Sequence, residues 1–276
     1  MQAALLWMLL AAFLFASMGA LIKAASAHAT VWQAVFFRAL AGLPLLMGFA
    51  WYVRAPIRGS RPWLLMGRSV AGLIGVSLSF YAISRIPLGD ATILVATAPI
   101  FVALLAPRFT REQVSRRLLG LLPFFLVGIA LIVKPKFSSD WVPAMAALLA
   151  GFMTAVAQLW VKQLGETEPS VTIVLNFTVM ATIGSAVPAF LAWRPLDTRT
   201  WFFLLSAGVI ATVAQMAMTK AFSMGRASVV SVMTYAGTLF AYLLGILFFH
   251  ERPDLSSMVG AIVLLTCGFT VARLTS

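Results

Sequence analysis

Charge is scarce in this chain, and carboxylates are scarcer still. Only 10% of its 276 residues are charged while 62% are hydrophobic, with a mean hydropathy of +0.99; a soluble domain carries about 25% charged residues. A water-soluble globule is excluded, and lipid becomes the solvent that the fold must satisfy. All eight acidic residues, Asp90, Glu112, Asp140, Glu166, Glu168, Asp197, Glu251 and Asp254, fall at or near the ends of apolar runs. The chain therefore offers no candidate for the intramembrane acid relay that proton-driven pumps use. An enzyme working at membrane depth needs clustered carboxylates, histidines or a thiol. Both histidines, His28 and His250, sit in loops or at run ends, and the single cysteine, Cys267, reads as a small packing residue on an apolar run. That cysteine has no internal disulfide partner. Long loops are missing as well, since no connection exceeds about a dozen residues, which leaves no room for a soluble catalytic domain. The expectation is a protein that is not an enzyme and needs no cofactor and no metal.

What is present is a series of ten apolar runs, near 2–25, 31–53, 63–84, 87–107, 117–134, 141–163, 169–193, 200–222, 226–249 and 254–273. Each approaches the roughly 20 helical residues that cross a hydrocarbon core of about 30 Å. They are too long for barrel strands, and lipid leaves the backbone no outside partner, so helices are the available choice. The first run lacks a basic leader and an Ala-x-Ala cleavage site and is expected to stay as a helix. The net charge of +12 points to orientation rather than to nucleic acid, because the basic residues gather in loops. With a cytoplasmic N-terminus, ten loop cations fall inside and seven outside, which favours both termini in the cytoplasm.

The chain also repeats itself. The stretch Tyr81–Leu131 returns at Lys220–Phe269, and Ala82 to Glu112 spans thirty residues, as does Ala221 to Glu251. Gly120 to Gly128 and Gly260 to Gly268 are both eight apart. Such a period marks two copies of one unit, expected at residues 1–136 and 140–276. Five helices per copy start the second on the opposite side of the membrane, so the fold expected is all-α with ten transmembrane helices in two inverted repeats, a central cavity between the halves and helices five and ten at the periphery. Inverted repeats are characteristic of secondary transporters.

Polar residues at helical spacing mark the faces expected to line that cavity. The ninth run carries Ser231, Thr234, Tyr235, Thr238 and Tyr242; the sixth Thr154, Gln158 and Lys162; the eighth Thr212, Gln215 and Thr219; the third Ser77, Tyr81 and Ser84. Asn176 lies midway along the seventh run, and Trp160 adjoins the Gln158 and Lys162 face. Arg38 stands seven residues into the second run, about 10 Å deep at 1.5 Å per residue. A guanidinium there keeps its proton and needs a carboxylate, carbonyls or water, and no acid of this chain is an obvious partner. Pro99, matched by Gly237 and Thr238 in the second copy, gives both fourth helices a weak point that reads as a hinge.

These residues resemble the drug/metabolite transporter superfamily, in particular proteins with two tandem EamA-type repeats. The likeness rests on Arg38, the small-residue stretch Ala82–Pro99, Glu112 with Gly120 and Gly128, and the second set Ala221, Glu251, Gly260 and Gly268. The resemblance implies export of small metabolites from a bacterial cell through its inner membrane by alternating access, with a monomer or weak homodimer in the bilayer. It looks most like exporters of amino acids, aromatic ones included. A zwitterion would place its carboxylate near Arg38 or Lys220, its ammonium against Tyr81 or Tyr235, and its side chain among Phe80, Trp160, Met233 and Tyr242. Export of another metabolite or drug, or flipping of a lipid or polyprenyl carrier on the same fold, is the alternative. With no buried acid to relay protons, transport is expected to be facilitative.

Overall fold

The computed structural model describes residues 2–110, 120–121, 123–124, 127–128, 131, 141–225, 227, 230 and 233–275. Among them every regular element is helical: α1 (Gln2–Ala25), α2 (Val31–Tyr52), α3 (Pro62–Ile83), α4 (Leu88–Val95), α5 (Ala98–Thr110), α6 (Val142–Leu164), α7 (Ser170–Leu191), α8 (Thr198–Met224), α9 (Thr234–Phe249) and α10 (Leu255–Thr275). Seven helical spans are long and apolar enough to cross a membrane, α4 and α5 counting together as one, and Thr234–Phe249 and Leu255–Cys267 are shorter apolar helices. Most of the run at 117–134, together with Glu112 and Ser231, lies outside the described residues. Large apolar side chains such as Leu6, Trp51, Leu191 and Phe248 cover the outside while Arg38 and Arg68 are buried. This is an inside-out arrangement that only lipid favours, and the chain is an integral membrane protein.

The run expected at 87–107 is broken in two. Pro99 has no N–H to give to the carbonyl of Val95, so the helix cannot run through at that point. Thr97 closes the gap, its Oγ1 donating to the Leu94 carbonyl at 2.7 Å. In the second copy α9 likewise begins only at Thr234, after a turn at Met233. Pro99 and Gly237 thus stand just after the starts of α5 and α9.

The most extensive helix pairings cross between the two halves: α1 with α8, α3 with α6 and α2 with α7. Small residues allow the close approach. On α8, a Cβ at Gly208 would lie 2.6 Å from the Arg38 carbonyl oxygen and 2.7 Å from Ala41 Cβ, and on α6 one at Gly151 would lie 2.9 Å from the Val95 carbonyl. Helices in lipid associate through such backbone contact because no hydrophobic force pulls them together.

Hydrogen bonds near the helix ends repeat with the sequence. Ala82 and Ala221 set an offset of 139 residues between the copies, and that offset also relates Lys23 to Lys162 and Ile86 to Gly225. Lys23 Nζ donates to the Ile86 carbonyl at 2.8 Å, and Lys162 Nζ donates to the Gly225 carbonyl at 3.0 Å. Gln33 at the start of α2 reaches the Arg194 carbonyl at 2.8 Å, while Thr172 at the start of α7 reaches the Pro56 carbonyl at 2.7 Å. Each half therefore ties down a loop of the other.

Glu251 adds the ion pair that holds one end of the bundle. Its Oε1 lies 2.8 Å from Lys23 Nζ, and its Oε2 accepts the Leu88 N–H at 3.0 Å, at the N-terminus of α4, where a negative charge is favoured by the helix dipole. Replacing Glu251 by Gln removes the charge from both contacts, and melting of the purified protein in detergent is expected to show a loss of about 2 kcal/mol. Gly208→Ala, which forces α8 against the α2 backbone, is expected to cost about 1–3 kcal/mol in the same assay.

Candidate functional site: a cavity with two unpaired arginines

The bundle holds a cavity of about 190 Å³, lined by residues of α1, α2, α3, α4, α6, α7, α8 and α9. From α3 it receives Arg68, Gly72, Gly75, Val76, Ser79, Phe80 and Ile83. These recur at helical spacing, so one whole face of α3 looks into the space. Arg38 enters from α2, Thr154 and Gln158 from α6, Phe177 from α7, Gln215 from α8, and Thr234 and Gly237 from α9.

Its electrostatics are dominated by the two arginines, only 4% and 2% exposed. Arg68 Nη2 donates to Gln215 Oε1 at 3.2 Å. The Nε and Nη1 atoms of both arginines are buried and make no hydrogen bond. Among the described residues no carboxylate pairs with either. Both instead face the ring of Phe177: Arg68 Cζ is 4.0 Å from its centroid and Arg38 Cζ 5.7 Å, with Phe80 a further 5.9 Å from Arg38. An aromatic face stabilises a cation by about 0.5–2 kcal/mol, far less than the cost of taking an ion out of water. Gly72 makes the arrangement possible, because a Cβ there would lie 2.8 Å from Phe177 Cε2 and 3.0 Å from Arg68 Nη1. Elsewhere on the wall Gln158 Oε1 and Thr234 Oγ1 are buried acceptors without a partner.

Several of the described acids are engaged elsewhere. Glu251 pairs with Lys23. Glu168 Oε1 accepts from Ser60 N and Oγ at 2.5 Å each and from Arg61 N at 3.2 Å. Asp90 accepts from Tyr242 Oη at 2.9 Å and from Ser257 Oγ at 3.4 Å. Among the described residues the cavity wall holds cations and neutral groups but no acid, and no group of three or more His, Cys, Asp or Glu side chains could hold a metal ion.

The residues singled out from the sequence divide between this wall and the surrounding helices. Arg38, Phe80, Gln158, Gln215, Thr234 and Gly237 line the cavity. Tyr235 is buried against Phe269 of α10, with ring centroids 6.5 Å apart, and Thr238 is fully buried. Tyr242 turns to Asp90. Trp160 packs edge-on to Phe109, 6.1 Å away, and Met233 packs against a buried apolar cluster that includes Met8, Leu159 and Phe222. Asn176 Nδ2 holds the Ile57 carbonyl at 3.1 Å. Tyr81 lies under the Arg85 guanidinium at 5.7 Å, Lys220 is exposed at the end of α8, and Pro99 follows the α4–α5 break without reaching the wall. Arg68 and Phe177 are among the wall residues that the sequence reading passed over. Arg68 looked like an interfacial charge near a helix start; the signal that marks it is its place on one helical face with Gly72, Gly75 and Ser79.

Residues 2–134 and 141–272 each match the EamA-like transporter family. The chain belongs to this family. Its similarity to the pseudopaline exporter CntI of Pseudomonas aeruginosa is 33% identity, over 99% of this chain and 97% of that one. It is 28% identical to a riboflavin transporter of Vibrio cholerae over 75% of this chain and 70% of the other. Human solute carrier family 35 member G1 is 26% identical over 94% of this chain and 75% of that protein. A solved crystal structure shares the fold with a TM-score of 0.73 at 16% identity, over 99% of this chain and 98% of the other. This EamA-like protein is thus a membrane transporter of small molecules rather than an enzyme.

Gln215 sits where a carboxylate would neutralise Arg68. Gln215→Glu preserves the shape and turns the 3.2 Å contact into an ion pair, so its melting temperature in detergent is expected to rise, by a stabilisation of about 1–3 kcal/mol.

Proposed function

We propose that the protein exports small carboxylate-bearing metabolites of the amino-acid class, aromatic members included, across a bacterial inner membrane by alternating access. The observation that carries this reading is the pair of buried guanidinium groups with no carboxylate among the described residues of the cavity wall. A binding site poised for an anion has that form: its cost is accepted in the empty protein and relieved when the partner arrives. The unpaired acceptors Gln158 Oε1 and Thr234 Oγ1 suit an ammonium or other N–H donor, and Phe80 and Phe177 supply apolar faces. That the similar Pseudomonas protein is an exporter supports the outward direction.

In this reading Arg38, Arg68, Phe80, Gln158, Gln215 and Thr234 contact substrate. Trp160, Asn176, Met233, Tyr235, Thr238 and Tyr242 hold the helices that shape the space, and Tyr81 and Lys220 stand near its ends. The breaks beside Pro99 and Gly237 act as hinges. Ten helices form two inverted five-helix units, residues 1–136 and 140–276, with both termini in the cytoplasm and the fifth and tenth helices peripheral. Each unit carries the same lysine-to-carbonyl tie, so one end can close while the other opens. With no acid among the described residues of the cavity wall, transport is facilitative.

Uptake of radiolabelled phenylalanine into proteoliposomes, with and without an imposed pH gradient, tests the proposal. Wild type is expected to transport with a rate that ignores the gradient, and Arg38→Ala to fall by at least about tenfold, the contribution of one charge-assisted hydrogen bond. Gln215→Glu, although more stable, is expected to lose transport to a similar extent because its own carboxylate occupies Arg68. Full transport in both variants would remove the cavity from the path.

A further inference from the structure

We infer that the Arg38–Arg68 pair selects substrates with two carboxylates over otherwise similar molecules with one. This rests on the export reading above and narrows its substrate class. The two guanidinium carbons lie 5.7 Å and 4.0 Å from one ring centroid, so they are within about 10 Å of each other. Both stay protonated at any physiological pH. Each buries an Nε and an Nη1 without an acceptor, so each has donors left for a carboxylate of its own. No lysine, histidine or acid joins them among the described wall residues, and the cavity therefore carries a fixed charge of two. One carboxylate neutralises half of that and leaves a bare guanidinium beside an ion pair. A second completes the balance.

Geometry distinguishes the two sites. Arg68 is anchored by Gln215 and lies 4.0 Å from the Phe177 ring centroid, while Arg38 stands farther off over two rings, 5.9 Å from the Phe80 centroid and 5.7 Å from that of Phe177. They enter from different helices, α2 and α3. Two separately placed forks suit two carboxylates on one carbon skeleton rather than a single compact dianion. The remaining wall is mostly apolar, with Gln158 Oε1 and Thr234 Oγ1 as free acceptors, so the skeleton carries an apolar body and an N–H or hydroxyl donor.

The test uses phenylsuccinate and 3-phenylpropanoate, which differ by one carboxylate, together with inorganic phosphate as a compact dianion. Each competes for labelled phenylalanine uptake in the proteoliposomes, and each is added to the purified wild-type protein in a thermal-melting assay that needs no variant. Phenylsuccinate is expected to inhibit at concentrations at least about tenfold lower than 3-phenylpropanoate and to raise the melting temperature further. Arg68→Gln, checked for folding by its own melting curve, is expected to bring the two inhibitors to within about threefold of each other. Equal inhibition by both in wild type overturns the two-carboxylate inference while phenylalanine uptake keeps the export reading intact. Phosphate competing as well as phenylsuccinate overturns it in favour of one compact anion. If phenylalanine is not taken up and neither acid shifts the melting curve, the export reading falls and this inference with it.

Discussion

Two cations held out of water, with no anion between them among the described residues, are the constraint around which this bundle is built. A buried guanidinium without a counter-charge is among the most costly arrangements a protein can hold. Here it occurs twice within one cavity. What compensation the wall provides is indirect: the Phe177 face, the Gln215 amide and the space left by Gly72. None of these removes the charge. The arrangement persists because packing elsewhere, through small-residue contacts such as Gly208 against the α2 backbone and Gly151 against α4, over-determines where α2 and α3 stand. Stability is located in the helix interfaces and binding potential in the cavity.

The placement of the acids follows the same division. Three of the described acids are spent on a loop or a helix end: Glu251 on Lys23 and α4, Glu168 on the 60–61 backbone, Asp197 on Thr200 at the start of α8. Thr200's hydrogen bonds hold the Asp197 carboxyl below its ordinary value, as expected for a cap that favours the charged form. Carboxylates at the ends fasten the helices. Carboxylates in the middle would fill the site, and keeping the two populations apart leaves the cavity free for a partner from outside.

Much of the architecture was legible in the sequence because lipid imposes a simple rule: apolar runs of membrane-spanning length become helices. The same rule says nothing about which way a helix faces once it is surrounded by others. The polar stripe Thr234, Tyr235, Thr238 and Tyr242 is one stripe by spacing, yet only Thr234 meets the cavity while Tyr235 packs on α10 and Tyr242 reaches α4. A stripe wider than one interface is divided among its neighbours. Arg38 was visible because it lies well inside an apolar run. Arg68 is only six residues past Pro62, close enough to a helix start to pass for an interfacial charge, and tertiary packing alone turns it inward. The break after Val95 follows from Pro99 directly, since a missing N–H is a local fact.

The repeat itself contains the most informative departure from symmetry. At an offset of 139 residues Lys23 matches Lys162, and both perform the same task on equivalent carbonyls. The same offset carries Arg38 onto Phe177. These two positions lie on α2 and α7, helices that pack against each other across the halves, and the residues themselves meet, with the Arg38 guanidinium 5.7 Å from the Phe177 ring. Duplicated positions that touch need not keep the same residue: two arginines there would repel, and two phenylalanines would bind no anion. One of each makes a cation–aromatic contact and leaves the cation's polar edge free. The ends of the bundle can remain alike because they do the same mechanical work, whereas the centre has become unlike. The cavity wall is accordingly asymmetric, with its guanidinium groups on α2 and α3, its rings on α3 and α7 and its amides on α6 and α8.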